Sequence, residues 1–248
     1  MSVTEAASDR VAVPVPEPVG VLEGIGLSRL GHDVRSPLGS IISLTALMSR
    51  KIANGTTDPA QQLHQLRLLN RSATGLLGFF ERFVMLVRLE SGEFDFPNVT
   101  VDCALIAHQV VADLSPAASG PGRHLKLEVH DGPALAAGPA GTAELIIMEL
   151  ADNAMKHGVA DAVVRVDAPA GSGQTVISVA DHGPGLSAED LPRIFRPFER
   201  GAAASGHDDN GAGLGLPLVL RAALRHGGTL QVATGPSGSV FTVSVPAA

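Results

Sequence analysis

Two long stretches with apolar residues at three- and four-residue steps, separated by a short polar turn, constrain this chain more than any other feature. Leu27, Leu30, Val34, Leu38, Ile41, Thr45, Met48 and Ile52 recur at helical spacing, which predicts an amphipathic helix from about Leu22 to Ile52. Ala53-Asn-Gly-Thr-Thr-Asp-Pro59 is turn-forming by composition, and Asp58-Pro59 is a helix start. Leu63, Leu66, Leu69, Ala73, Leu76, Phe80, Phe83 and Val87 then carry a second helix to about Glu90. Two long helices on a short turn form a hairpin, and a lone hairpin leaves apolar surface uncovered. Pairing with a second copy into a four-helix bundle is the expected solution, and packing on the rest of its own chain is the alternative.

The pattern changes after Ser91-Gly92. Helical spacing at about 102–115, 139–157 and 213–227 alternates with β-rich runs at 124–129, 162–166, 175–180, 228–232 and 239–245. Such a mixture predicts a sheet with helices on one face. The fold class is therefore α+β, in three parts: an extended segment over 1–20, ending in Val13-Pro-Val-Pro-Glu-Pro18, the hairpin over 21–92, and an α/β sandwich over 93–248. Gly201-Ala-Ala-Ala-Ser-Gly-His-Asp-Asp-Asn210 is small and polar and reads as a mobile lid.

Composition narrows the function. The chain has 248 residues, is 45% hydrophobic and carries a net charge of −7, so it forms a core and lacks the basic surface of a nucleic-acid binder. The single Cys103 excludes an internal disulfide and a cysteine-based metal cluster. Its expected role is that of a small buried apolar residue. No apolar run approaches the ~18 residues of a membrane span, and residues 1–10 lack the basic start of a secretion signal. A cytoplasmic location is expected.

Four local groupings carry chemistry. The first is His32, on the apolar-patterned helix and followed by Asp33, with Gly31 and Pro37 flanking it. Proline cannot donate to the carbonyl of Asp33, so a bend is expected there. Glu149, Asn153 and Lys156 follow at spacings of four and three on one predicted helix. Glutamate and asparagine oxygens suit Mg²⁺, and a lysine suits phosphate. Asp181-His-Gly-Pro-Gly185 succeeds a β-run, where its glycines permit a tight turn close to a ligand. Gly211-Ala-Gly-Leu-Gly215 opens a helix, an anion site suited to phosphates. It is neither a P-loop nor a dinucleotide fingerprint, lacking the Gly-Lys-Ser/Thr of one and the leading strand of the other.

In this order and spacing, the groupings resemble the catalytic core of a bacterial two-component sensor histidine kinase over about residues 22–246. His32, Asp33 and Pro37 look like its phospho-acceptor box, Glu149 to Lys156 like its N box, and Asp181 to Gly185 like its first glycine box. Ile194-Phe-Arg-Pro-Phe-Glu199 looks like the F box and Gly211 to Gly215 like the second glycine box. The resemblance implies a dimerising phosphotransfer hairpin followed by an ATP·Mg²⁺-binding sandwich of the histidine-kinase/gyrase/Hsp90 type. It implies that Asn153 ligates Mg²⁺ and Glu149 holds its water shell, and that Asp181, with Gly183 and Gly185 in its turn, receives adenine. Lys156 and His157 would meet phosphates or ribose, while Gly211, Gly213, Leu214 and Gly215 would cradle the phosphates. Phe195 and Phe198 would pack the lid, and His182 is given no role.

The implied activity is autophosphorylation of His32 and transfer of the phosphoryl group to an aspartate of a response-regulator receiver domain. A neutral imidazole keeps a nitrogen lone pair and can attack the γ-phosphorus directly. Asp33 would hold the other ring nitrogen, a contact awkward for neighbours on an undistorted helix, which point about 100° apart. Ser36 stands where bifunctional members carry Thr or Asn, which leaves response-regulator phosphatase activity an open reading. Arg196 departs from a position that is often acidic in the family. Only about twenty residues precede the first helix, so the signal is expected from a partner, a separate domain or the lid. The alternatives are a phosphotransfer or scaffold protein with a degenerate nucleotide site, and an ATPase or serine kinase sharing only the nucleotide fold.

Overall fold

The structure, a computed structural model, describes residues 11–13, 15, 17, 27–56, 58–91, 97–115, 124–130, 132–201 and 212–248. Helices α1 (Leu27–Ala53) and α2 (Pro59–Ser91) form the expected hairpin. The helix α1 runs through Pro37 without interruption. Thr56 closes the turn by donating its backbone N–H to the Lys51 carbonyl at 3.0 Å.

Only part of the hairpin's expected apolar stripe meets the second domain, with Phe83 packed against its core. Leu63, Leu66, Phe80 and Val87 are exposed, whereas Phe79, Leu86 and Leu89 are buried. Residues 79, 86 and 89 share a helix face because seven- and three-residue steps return near the same angle. On α1, Leu30 and Val34 pack against the same core.

The second domain contains β2 (Asn98–Asp102), α3 (Cys103–Leu114), β3 (Leu125–Val129), β4 (Leu135–Pro139), α4 (Thr142–His157), β5 (Ala162–Asp167), β6 (Gln174–Ala180), α5 (Gly215–Arg225), β7 (Thr229–Gly235) and β8 (Gly238–Pro246). A short strand, β1 (Val11–Val13), precedes the hairpin in sequence and pairs antiparallel with β7. That part of the N-terminal segment is extended as expected, but it is hydrogen-bonded into the sheet edge. The main sheet has the order β1-β7-β8-β6-β5-β3. All its pairs are antiparallel except β3 with β5.

Alternation places Ile177 opposite Val243 and Val179 opposite Phe241, all buried under the helices. Each such side chain contributes roughly 1.5–3 kcal/mol by leaving water. The helix α4 supplies Ile146, Ile147, Leu150, Ala151 and Ala154 to that core. Cys103 is fully buried at the start of α3, and burial pushes its thiol up to about 11. It is inert packing.

Besides β1, two further strands were not anticipated, β2 and β4, which form a separate antiparallel pair. The β4 sequence Leu-Ala-Ala-Gly-Pro has little β-branched character, so its alternating burial is invisible to propensity. Gly138 within it lies against the His226 ring, where an added Cβ would fall 1.9 Å from Nδ1.

Candidate active site

One cleft gathers side chains from α4, the start of α5, the segment around Glu199 and, unexpectedly, α2. Its walls include Glu149, Asp152, Asn153, Lys156 and His157, then Glu199, Arg200 and Gly201, then Ala212 to Leu216. Gly75, Phe79 and Arg82 of the hairpin complete it. The expected residues Glu149, Asn153, Lys156, His157, Gly213, Leu214 and Gly215 are therefore brought together. Gly211 and the lid residues 202–210 lie outside the described residues.

The helix α5 begins at the cleft with an uncapped N-terminus. Leu214 occupies the cap position and makes no side-chain cap hydrogen bond. Unpaired amides at a helix start attract anions through both N–H groups and helix dipole. The loop leading to it needs glycine: Gly213 has φ 66°, and a Cβ there would lie 2.6 Å from the Glu199 carbonyl. Phe198 is in the same left-handed region, with φ 66°, and donates its N–H to the Gly213 carbonyl at 3.0 Å. Phe195 and Phe198 are both buried. Phe198 packs on the hairpin, its ring centroid 6.3 Å from Phe79 and 6.2 Å from Phe83. Phe198 thus makes an aromatic contact between the two parts of the chain, and the lid it was expected to help pack lies outside the described residues.

Charges on α4 are paired. Arg82 Nε donates to Glu149 Oε1 at 2.6 Å, and Arg82 Nη2 is 3.6 Å from Asp152 Oδ2. Lys156 Nζ donates to the same Asp152 oxygen at 2.5 Å. Glu149 is 6% exposed, and burial pushes its carboxyl above the ordinary range while Arg82 pulls against that rise. Among the described residues no group of three or more His, Cys, Asp or Glu could hold a metal ion. Glu149 and Asn153 instead offer two hard oxygens on one helix, a set suited to Mg²⁺ held mainly by phosphate and water. The carboxylate's need for a counter-charge fits such a cation.

Asp181 ends β6 and is 5% exposed. Its Oδ1 accepts from Gly183 N at 2.7 Å and from Ser239 N at 3.2 Å. A Cβ at Gly183 would meet the His157 carbonyl at 2.7 Å, so this loop abuts the end of α4. Gly185, with φ 72°, passes against the β7–β8 turn, 2.1 Å from where its Cβ would strike the Gly235 carbonyl. Asp181, Gly183 and Gly185 are not among the cleft's walls. His182, left without a role on sequence, has Nδ1 2.7 Å from the Asp161 carbonyl and joins two loops.

His32, Asp33 and Ser36 lie on α1, outside the cleft walls. The His32 side chain is 80% exposed. Its Nδ1 is 3.3 Å from Asp33 Oδ1, so the contact that helix geometry disfavours is made within a continuous helix. Ser36 is exposed, and its carbonyl accepts from Ser40 Oγ at 3.2 Å. Arg196 is 3.8 Å from Glu199, and Arg193 donates to Glu199 at 2.9 Å. Sequence reasoning missed Arg82, Asp152 and Arg200. Asp152 stands four residues before Lys156, a spacing that signals an ion pair.

Comparison with known proteins adds three findings. Residues 139–248 match the family described as Histidine kinase-, DNA gyrase B-, and HSP90-like ATPase. The chain is 28% identical over 215 residues to the probable sensor histidine kinase TcrY of Mycobacterium tuberculosis, covering 87% of this chain and 44% of that protein. It is 27% identical to the signal transduction histidine-protein kinase AfsQ2 of Streptomyces coelicolor, covering 88% and 40% respectively. The chain thus spans less than half the length of either. Among solved structures, the Acinetobacter baumannii histidine kinase AdeS superposes with a TM-score of 0.68 at 20% identity, over 87% of this chain and 98% of that one. Full-length ShkA, solved in complex with AMPPNP, superposes with a TM-score of 0.65 at 27% identity, over 90% and 45%.

Proposed function

We propose that the chain is a histidine kinase catalytic core, with residues 139–248 as its ATPase domain of the histidine kinase, gyrase B and HSP90 type, and that it acts as an ATP-dependent protein-histidine kinase phosphorylating His32. The observation that carries the reading is the convergence of Glu149, Asn153 and Lys156 on an uncapped α5 N-terminus in one cleft. The complex of ShkA with AMPPNP supports ATP as the nucleotide. In this reading Asn153 and Glu149 hold Mg²⁺, which when bound neutralises charge on the phosphates. Lys156, His157 and the backbone of Gly213, Leu214 and Gly215 position the phosphate chain.

The acceptor is prepared by its own neighbour. A carboxylate can only accept, so the His32–Asp33 contact places the proton on Nδ1 and leaves the Nε2 lone pair to attack. A bond forms between Nε2 and the γ-phosphorus as the bond from that phosphorus to the β–γ bridging oxygen breaks, and ADP departs. Asp33 stabilises the positive charge that grows on the ring and takes the Nδ1 proton. Exposure of His32 suits it to meet both the nucleotide and a receiver-domain aspartate. Ser36, one turn along α1 and exposed, would in this reading orient water for hydrolysis of the receiver domain's aspartyl phosphate, the phosphatase activity.

The partners follow from the same reading: a second copy of this chain through the hairpin, and a response-regulator receiver domain. Among the described residues no helix is long and apolar enough to cross a membrane. The test is incubation with γ-labelled ATP·Mg²⁺ followed by a chase with a receiver domain. Label that attaches to wild type, is acid-labile, passes to the receiver and is absent from His32→Ala supports the reading. Acid-stable label, or label retained in His32→Ala, rejects it.

A further inference from the structure

We propose that Arg82 is a built-in competitor for the cation of the nucleotide site: while α2 is docked, its guanidinium holds Glu149, and loading of Mg²⁺·nucleotide requires that grip to open. The inference rests on the cleft being the nucleotide site proposed above.

Glu149 is 6% exposed, and a carboxylate so buried stays charged only beside a positive partner. Arg82 is that partner at 2.6 Å, reaching across 67 residues of sequence. It also leans on Asp152, which pairs with Lys156, so the cleft-facing charges of Glu149, Asp152 and Lys156 are satisfied by the hairpin and by one another. A divalent cation brought to Glu149 would meet a like charge a few ångströms away, and the two cannot share the carboxylate without repulsion. One must leave.

The same face of α2 is fastened along its length. Phe79 and Phe83 pack on Phe198, whose N–H holds the Gly213 carbonyl of the phosphate loop. Arg225 Nε donates to the Leu89 carbonyl at 2.8 Å, and Arg221 is 3.6 Å from Glu90. Release of Arg82 therefore loosens a helix that bears on both the cleft and the α1 helix carrying His32. Linkage makes the effect reciprocal: whatever docks α2 weakens cation·nucleotide binding, and cation·nucleotide binding undocks α2.

The test is titration of the whole chain with AMPPNP in Mg²⁺ and again in EDTA, for wild type, Arg82→Gln and Glu90→Gln, with folding followed by circular dichroism. Arg82→Gln is expected to bind AMPPNP roughly fivefold or more tightly in Mg²⁺, the usual scale of a coupling between sites, with the gain lost in EDTA. Glu90→Gln, which loosens the same helix away from the cleft, is expected to tighten binding by less and serves if Arg82→Gln does not fold. Equal or weaker binding by the folded variants, or a gain that persists in EDTA, would overturn the competition. Absence of AMPPNP binding in all three chains contradicts the nucleotide-site reading itself.

Discussion

His32 and Asp33 are consecutive on a helix, where neighbouring side chains ordinarily diverge by about 100°, yet Nδ1 and Oδ1 approach to 3.3 Å. The pair is exposed enough that its value lies in chemistry rather than stability. Asp33→Asn keeps an oxygen for Nδ1–H but removes the charge that opposes the developing imidazolium. Autophosphorylation should slow by about 10²-fold, the lower end of proton-transfer effects, with melting temperature unchanged. Initial rates of label incorporation check this, and a rate within about twofold of wild type would remove Asp33 from the mechanism. At this scale the site was legible where its residues are close in sequence, as in Glu149, Asn153 and Lys156. Arg82 was not, because a guanidinium on an amphipathic helix looks like any solvated charge until a distant strand-and-helix layer closes over it.

Among the elements, β4 and α5 are joined by a histidine that no motif announced. His226 ends α5 with 6% exposure, its Nε2 2.5 Å from the Thr142 hydroxyl, which itself donates to the Pro139 carbonyl. Burial holds His226 below its ordinary 6.5, with the Ala137 carbonyl at 3.4 Å opposing that only in part. The unfolded chain therefore binds the proton at a higher pH than the folded one. This contribution to stability is present above about 6.5 and declines as pH falls from there towards the depressed folded value. Urea unfolding across that window should give stability rising with pH in wild type, with a smaller slope in His226→Gln. An identical slope in the variant would contradict the assignment. The main strands were legible because alternating Val, Ile and Leu mark a half-buried sheet. The strand β4 was not, because Leu-Ala-Ala-Gly-Pro is specified by its place beside α4 and the His226 ring rather than by its own β-propensity.

For the whole molecule, the hairpin has two apolar faces with different fates. Phe79, Leu86 and Leu89 are spent on the second domain, while Leu63 and Leu66, each 50% exposed, and Leu77, 60% exposed, face outward. A row of that kind marks an interface, and the proposed homodimer would use it. Sedimentation should find a dimer that Leu66→Glu with Leu77→Glu converts to a monomer with its sheet intact, and a wild-type chain that is monomeric at every concentration would contradict this. Periodicity revealed that such faces exist but not which partner each one meets, since helical spacing carries no address. The central claim is that the C-terminal nucleotide site delivers a phosphoryl group to His32. Phosphorus NMR of the chain after incubation with ATP·Mg²⁺ tests it most directly. One nitrogen-bonded phosphoryl resonance is expected, disappearing on acidification and absent from His32→Ala and from Asn153→Ala. A phosphoryl resonance that survives acid, or one that persists when His32 is gone, would contradict it.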